Sequence, residues 1–182
     1  MPVVRGKRID VLYSASTIAA RNLELAKEIA GRDYDKLLVI SVLKGSFIFS
    51  ADLVRAMHDA GLEPDVEFIM LSTYGAGTEA GEVRILRDID SDVAGRDVLL
   101  VDDILESGRT LTYARELILD RGARSVGICV LLDKSMRRQA DTPLQADFVG
   151  FECPDHFVVG YGMDVGHAFP ELPFVGVVTG DA

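Results

Sequence analysis

The stretch VLLVDDILESGRTL, residues 98–111, decides the fold. Val98, Leu99, Leu100 and Val101 form a short apolar run of the kind buried on both faces in a parallel sheet. The run stops at two carboxylates, Asp102 and Asp103, and Ser107, Gly108, Arg109 and Thr110 then lead into a helical pattern. Open α/β sheets take ligands at the carboxyl ends of their strands. A helix start adds unpaired backbone N–H groups and a partial positive charge, which suit a phosphate. Gly108 lets the backbone wrap closely, and the Ser107 and Thr110 hydroxyls supply further donors. Carboxylates beside a phosphate repel it unless a hard divalent cation such as Mg²⁺ or sugar hydroxyls intervene. The chemistry therefore points to a phosphorylated sugar held at both ends. Plain helix capping by Asp, Ser and Thr is the commoner use of these residues. Their crowding with a glycine into nine positions argues against it here.

Outward from this stretch, strand and helix patterns alternate. Ser14 or Ser16 caps a helix to about Arg32, with Ile18, Leu23, Ala26 and Ile29 at helical spacing and Gly31 as a stop. Residues 36–43 read as a buried strand, and a helix from Phe47 ends at Gly61. Residues 66–71, 83–89, 97–104 and 126–132 read as strands, the middle two joined by a polar turn through Asp92 and Gly95. Residues 110–121 form a helix stopped by Gly122. From Ala146 onward, short apolar runs with Pro and Gly punctuation predict a small β-rich appendage with a final strand at 174–178. The expectation is one α/β domain over residues 1–182: a mostly parallel sheet flanked by helices.

Composition narrows the function classes. The 182 residues carry 19 Lys+Arg against 29 Asp+Glu, a net charge of −10, which disfavours nucleic acid as a partner. No apolar run approaches the ~20 residues of a membrane span. The segment MPVVRGKRIDVLYS lacks the apolar stretch of a secretory signal, so a cytoplasmic location is expected. Cys129 and Cys153 are too few for a disulfide framework. Cys153 and His156 are spaced like metal ligands, but two ligands make no zinc site, and His58 and His167 add none in motif spacing. The glycine-rich GAGTEAG stretch opens no helix and is not a dinucleotide fingerprint.

Residues 98–111 resemble the phosphoribosyl diphosphate (PRPP) signature of type I phosphoribosyltransferases, and the acidic Glu106 resembles the 6-oxopurine, hypoxanthine-guanine branch. Further matches run along almost the whole chain: VLKGS at 42–46, TYG at 73–75, LLDK at 131–134, DFVGF at 147–151, Pro154-Asp155 and FVVGY at 157–161. The resemblance implies that Asp102 and Asp103 hold the ribose hydroxyls directly or through Mg²⁺, and that backbone from Glu106 to Leu111 cradles the 5′-phosphate. It implies a pyrophosphate site at Leu43, Lys44 and Gly45, with an unusual cis peptide at the lysine. Thr73 and Tyr74 would belong to a mobile loop that closes over the reacting centre, and the glycines that follow them predict low order.

The appendage, about 146–182 with the N-terminal segment, would form a base-binding hood. There the resemblance gives Lys134 to the purine 6-oxo group, the Phe157 ring to stacking, the Val158 backbone to the base edge and Asp164 to a second Mg²⁺ on the purine side. Glu106 would be the general acid/base at N7.

Two positions depart from the family pattern: Glu106 stands where an aspartate is usual, and Pro170 where an arginine commonly lies near pyrophosphate. Thr73 in place of the usual serine keeps the hydroxyl. The expected reaction is Mg²⁺-dependent purine salvage, PRPP plus hypoxanthine or guanine giving the purine nucleotide and pyrophosphate, by a homodimer or homotetramer. A xanthine-preferring transferase and a non-catalytic sensor of PRPP or nucleotide are the alternatives.

Overall fold

Alternating apolar strands and amphipathic helices assemble into two sheets in the computed structural model, which describes residues 2–74, 82–134 and 144–181. In chain order the elements are β1 (Val3–Val4), β2 (Lys7–Tyr13), α1 (Ala15–Ala30), β3 (Leu38–Leu43), α2 (Phe47–Asp59), β4 (Asp65–Tyr74) and β5 (Glu82–Arg87). They continue with β6 (Asp97–Leu105), α3 (Arg109–Asp120), β7 (Ser125–Asp133), β8 (Phe148–Glu152), β9 (Val158–Val159) and β10 (Val175–Asp181). The large sheet has strand order β5-β4-β3-β6-β7-β8, parallel except for the antiparallel edge strand β5. The small antiparallel sheet has order β1-β2-β10-β9.

Strand periodicity explains the core. Val39, Leu99, Val101, Cys129 and Leu131 face one side of the large sheet and pack with Ile18, Leu25, Phe49 and Leu53 of α1 and α2. Their neighbours Leu38, Ile40, Val98, Leu100 and Val130 face the other side and pack with Leu111, Ala114 and Ile118 of α3. Both faces being covered, the central strands read as continuous apolar runs. Helix α1 starts at Ser14, whose Oγ accepts from the Thr17 N–H at 3.2 Å, and stops at Gly31. The polar turn after β5 is closed by the Ala94 N–H donating to Asp92 Oδ1.

This topology makes a crevice. β3 feeds α2 on one face, and its neighbour β6 feeds α3 on the other, so the connections diverge between them. That divergence is the switch point at which open α/β sheets bind ligands. The β3–β6 ladder ends at Ser41 and Val101, and the two acids of β6 lie just past it.

Three details differ from the sequence reading. Phe148–Glu152 join the large sheet beside β7 instead of the appendage, because Phe148 is buried in the core below α1. β1 and β2 carry no clear alternation, and their pairing with β10 comes from the opposite part of the chain. β4 runs on to Tyr74, held by antiparallel pairing with β5, so Thr73 and Tyr74 finish a strand; positions 75–81 of the expected loop lie outside the described residues.

Candidate active site

Strand β6 carries Asp102 and Asp103 in register with β7 and continues to Leu105. Gly108 follows at φ +78°, a left-handed turn that lets α3 begin with its N–H groups facing the crevice. A cavity of about 330 Å³ lies against this junction, lined by Thr73, Asp102, Asp103, Ser107, Gly108 and Thr110 among others. Arg109 is exposed and does not line it, whereas Leu111 lines it and is also part of the core cluster under α3.

A second cavity of about 580 Å³ shares Asp103, Ile104 and Glu106 with the first. Lys44, Gly45, Lys134, Phe157, Val158 and Asp164 contribute to its wall. Residues far apart in sequence thus converge on one site, among them both candidate proton-handling side chains. The Lys134 ammonium, 5% exposed, donates to Glu106 Oε1 at 3.4 Å. The Lys134 N–H is tied to the Leu105 carbonyl at 2.9 Å, which fixes where the side chain starts. Phe157 is 63% exposed at the cavity edge, with its ring unshielded for stacking, whereas the neighbouring Val158 is buried.

The loop after β3 is held from below. Ser41 Oγ lies 2.9 Å from Ser46 Oγ and 2.6 Å from Ser50 Oγ, and Ser46 Oγ donates to the Val42 carbonyl. The Leu43–Lys44 peptide is cis, as the resemblance implies, and the Lys44 side chain is exposed. Gly45 rests against the Asp103 carboxylate with no room for a Cβ. Burial, followed by the adjacent Asp103 charge, pushes the Asp102 carboxyl well above the usual carboxylate range. Two crowded acids in this condition fit a hard divalent cation or ribose hydroxyl donors. Across the cavity, Asp164 Oδ2 accepts from the His167 N–H at 2.7 Å, which fixes its loop. Among the described residues no three His, Cys, Asp or Glu side chains gather closely enough to hold a metal by themselves. Mg²⁺, which keeps waters and takes substrate oxygens alongside one or two carboxylates, does not need them to.

Sequence reasoning missed several wall residues. Met70, Ser72, Leu86 and Met163 line the larger cavity, and nothing local in the sequence marks them as facing a ligand. The paired hydroxyls of Ser41 and Ser50 were equally silent.

A model of the phosphoribosyl transferase domain matches residues 9–165. The hypoxanthine phosphoribosyltransferase of Salmonella typhimurium is 42% identical over 175 residues, covering 94% of this chain and 96% of that protein. The hypoxanthine-guanine phosphoribosyltransferase of Bacillus subtilis is 46% identical over 170 residues, covering 92% of each. The chain belongs to the hypoxanthine-guanine branch of the phosphoribosyltransferase family. A crystal structure of a hypoxanthine phosphoribosyltransferase from Staphylococcus aureus superimposes with a TM-score of 0.87 at 36% identity, over 96% of this chain and 92% of that one. The phosphoribosyltransferase fold thus extends over both sheets, and the chain is a pentosyl-transferring enzyme. Among the described residues of this phosphoribosyltransferase, no helix is long and apolar enough to cross a membrane.

Proposed function

We propose that this enzyme transfers the 5-phosphoribosyl group of PRPP to N9 of hypoxanthine or guanine, releasing pyrophosphate, as a step of purine salvage. The observation that carries this reading is the Lys134–Glu106 pair, 3.4 Å apart, in a cavity whose other walls are Phe157, Gly45 and Asp103. A 6-oxopurine offers an acceptor to an ammonium, a ring nitrogen to a carboxylate and a π-face to an aromatic ring, and the cavity presents all three counterparts.

The 5′-phosphate would lie at the start of α3, where Ser107 and Thr110 hydroxyls and the N–H groups around Gly108 converge. Asp102 and Asp103 would receive the ribose hydroxyls, and Lys44 with the Gly45 backbone the pyrophosphate. Asp102, Asp103 and Asp164 would hold Mg²⁺, which when bound offsets the negative charge of acids and pyrophosphate oxygens. As the C1–O bond to pyrophosphate breaks and the C1–N9 bond forms, Glu106 takes the purine ring proton. Lys134 meanwhile stabilises charge developing at O6. Thr73, in the wall of the smaller cavity, and Tyr74 would lead into a segment that closes and excludes water from the ribosyl cation. Cytoplasmic location and a homodimeric or homotetrameric state go with this reading.

The test is a panel: protein, PRPP and Mg²⁺ with hypoxanthine, guanine or xanthine. Nucleotide and pyrophosphate from the first two support the proposal. Turnover of xanthine alone replaces it by the xanthine-preferring alternative, and binding without turnover of any base replaces it by the sensor.

A further inference from the structure

A phenol buried away from water keeps its hydroxyl only where partners are waiting. Tyr161, 5% exposed, has two, both from distant helices. Its Oη donates to Asp52 Oδ2 of α2 at 2.5 Å and accepts from Asn22 Nδ2 of α1 at 2.9 Å. Its own backbone is equally fixed, the N–H donating to the Leu172 carbonyl at 2.8 Å. Burial raises the phenol's pKa further above its usual range, so it stays a neutral donor.

The position of this anchor gives it a function. Gly160, Tyr161 and Gly162 form a tight turn with φ of +95°, +52° and +100°. Val158, just before the turn, and Met163 and Asp164, just after it, line the larger cavity. Gly162 is pressed on the Gly45 carbonyl so closely that no side chain fits between them. Gly45 in turn rests on Asp103. One turn therefore carries the base wall on one side, the Asp164 wall on the other and the back of the Lys44–Gly45 loop beneath.

We infer that Tyr161 is a positioning residue: its hydroxyl, locked between Asp52 and Asn22, sets the register of the Gly162–Gly45 contact and so shapes the pyrophosphate-binding loop. This rests on the assignment of that loop under the proposed function.

The experiment compares wild type with Tyr161→Phe, Asp52→Ala and Asp52→Asn by calorimetric titration with inorganic pyrophosphate and Mg²⁺, and by KM for PRPP and for hypoxanthine. Y161F and D52A are expected to weaken pyrophosphate binding and raise the PRPP KM by about tenfold. The hypoxanthine KM should change by less than the PRPP KM, because the turn presses directly on Gly45 whereas Lys134 and Glu106, on other elements, keep their places. D52N, which keeps an oxygen acceptor for the phenol, should restore near wild-type values, and the Y161F/D52A double variant should be no worse than either single one. A merely structural tyrosine would lower the fraction of folded protein and hence kcat, leaving affinities and KM values alone. Equal pyrophosphate affinity in wild type and Y161F, or D52N behaving as D52A does, overturns the inference. Absence of purine transfer by the wild type overturns the proposed function alone, since pyrophosphate binding is read without turnover.

Discussion

Gly45, in the loop after β3, and Asp103, on β6, meet so closely that the carboxylate occupies the space a Cβ on residue 45 would need. The contact puts the loop after β3 directly on one of the two acids of β6, and it ties the pyrophosphate half of the proposed site to the ribose half. Gly45→Ala must push the loop or the carboxylate aside. A displacement on the order of 1 Å at a reacting centre costs about 10²-fold, so kcat/KM for PRPP should fall by about that factor. Steady-state kinetics on protein with the wild-type circular dichroism spectrum checks it; kinetics unaltered by the methyl group would contradict the contact.

Glu106 is the carboxylate that Lys134 reaches. Glu106→Gln keeps the shape and a hydrogen-bonding oxygen but cannot take a proton. Turnover should drop by about 10²–10⁴-fold while PRPP affinity changes little. Pre-steady-state and binding measurements separate the two, and an unchanged rate would assign the proton to another group.

Asp97 anchors the opposite end of β6. Its carboxylate accepts from Arg124, from the Ser125 hydroxyl at 2.7 Å and from the Asp35 N–H at 2.8 Å. The Arg124 hydrogen bonds, ahead of the others, hold it well below the ordinary value of 3.8. A carboxyl depressed in the folded state stabilises the fold fully above its unfolded pKa, and that contribution is lost as pH falls through the folded one. Urea midpoints should therefore fall as pH drops below about 4. Asp97→Asn should lower stability at pH 7 by about 1–3 kcal/mol and flatten that acid-side slope.

Neither thiol should react in the folded enzyme. Cys129 is fully buried and burial drives its pKa strongly upward; Cys153 is also raised by burial, and its Sγ donates to the Pro154 carbonyl at 3.3 Å. A thiol reagent at pH 8 should label essentially nothing until denaturant is added, and then both cysteines. Rapid labelling of native protein would show that one of these positions opens.

The strand–turn–helix junction of the proposed phosphate half was legible from residues 98–111 because strand, acids, glycine and helix start are consecutive, and each reports its own conformation. The base half was not legible from spacing alone. Lys134, Phe157 and Asp164 come together only after β7, β9 and the turn that follows β9 are placed, so their roles came from the family resemblance. Phe157 shows the difficulty: an FVVGY run reads as buried strand, and only its Val158 and Val159 behave so. The Asn22–Tyr161–Asp52 network had no sequence signal at all. Hydrogen bonds across such separations follow from tertiary packing, which no local pattern encodes.

The small sheet also dictates an order of assembly. Val158 and Val159 pair with Val177 and Gly176, and the same strand pairs with Lys7–Tyr13. During synthesis, the junction after Val101 leaves the ribosome well before residue 175 does. A nascent chain can therefore build the grip on the sugar donor while the seat for the acceptor base is still waiting for its late strand. Ends so distant in sequence close slowly, so under the proposed function the base seat would be the later half of the site to form.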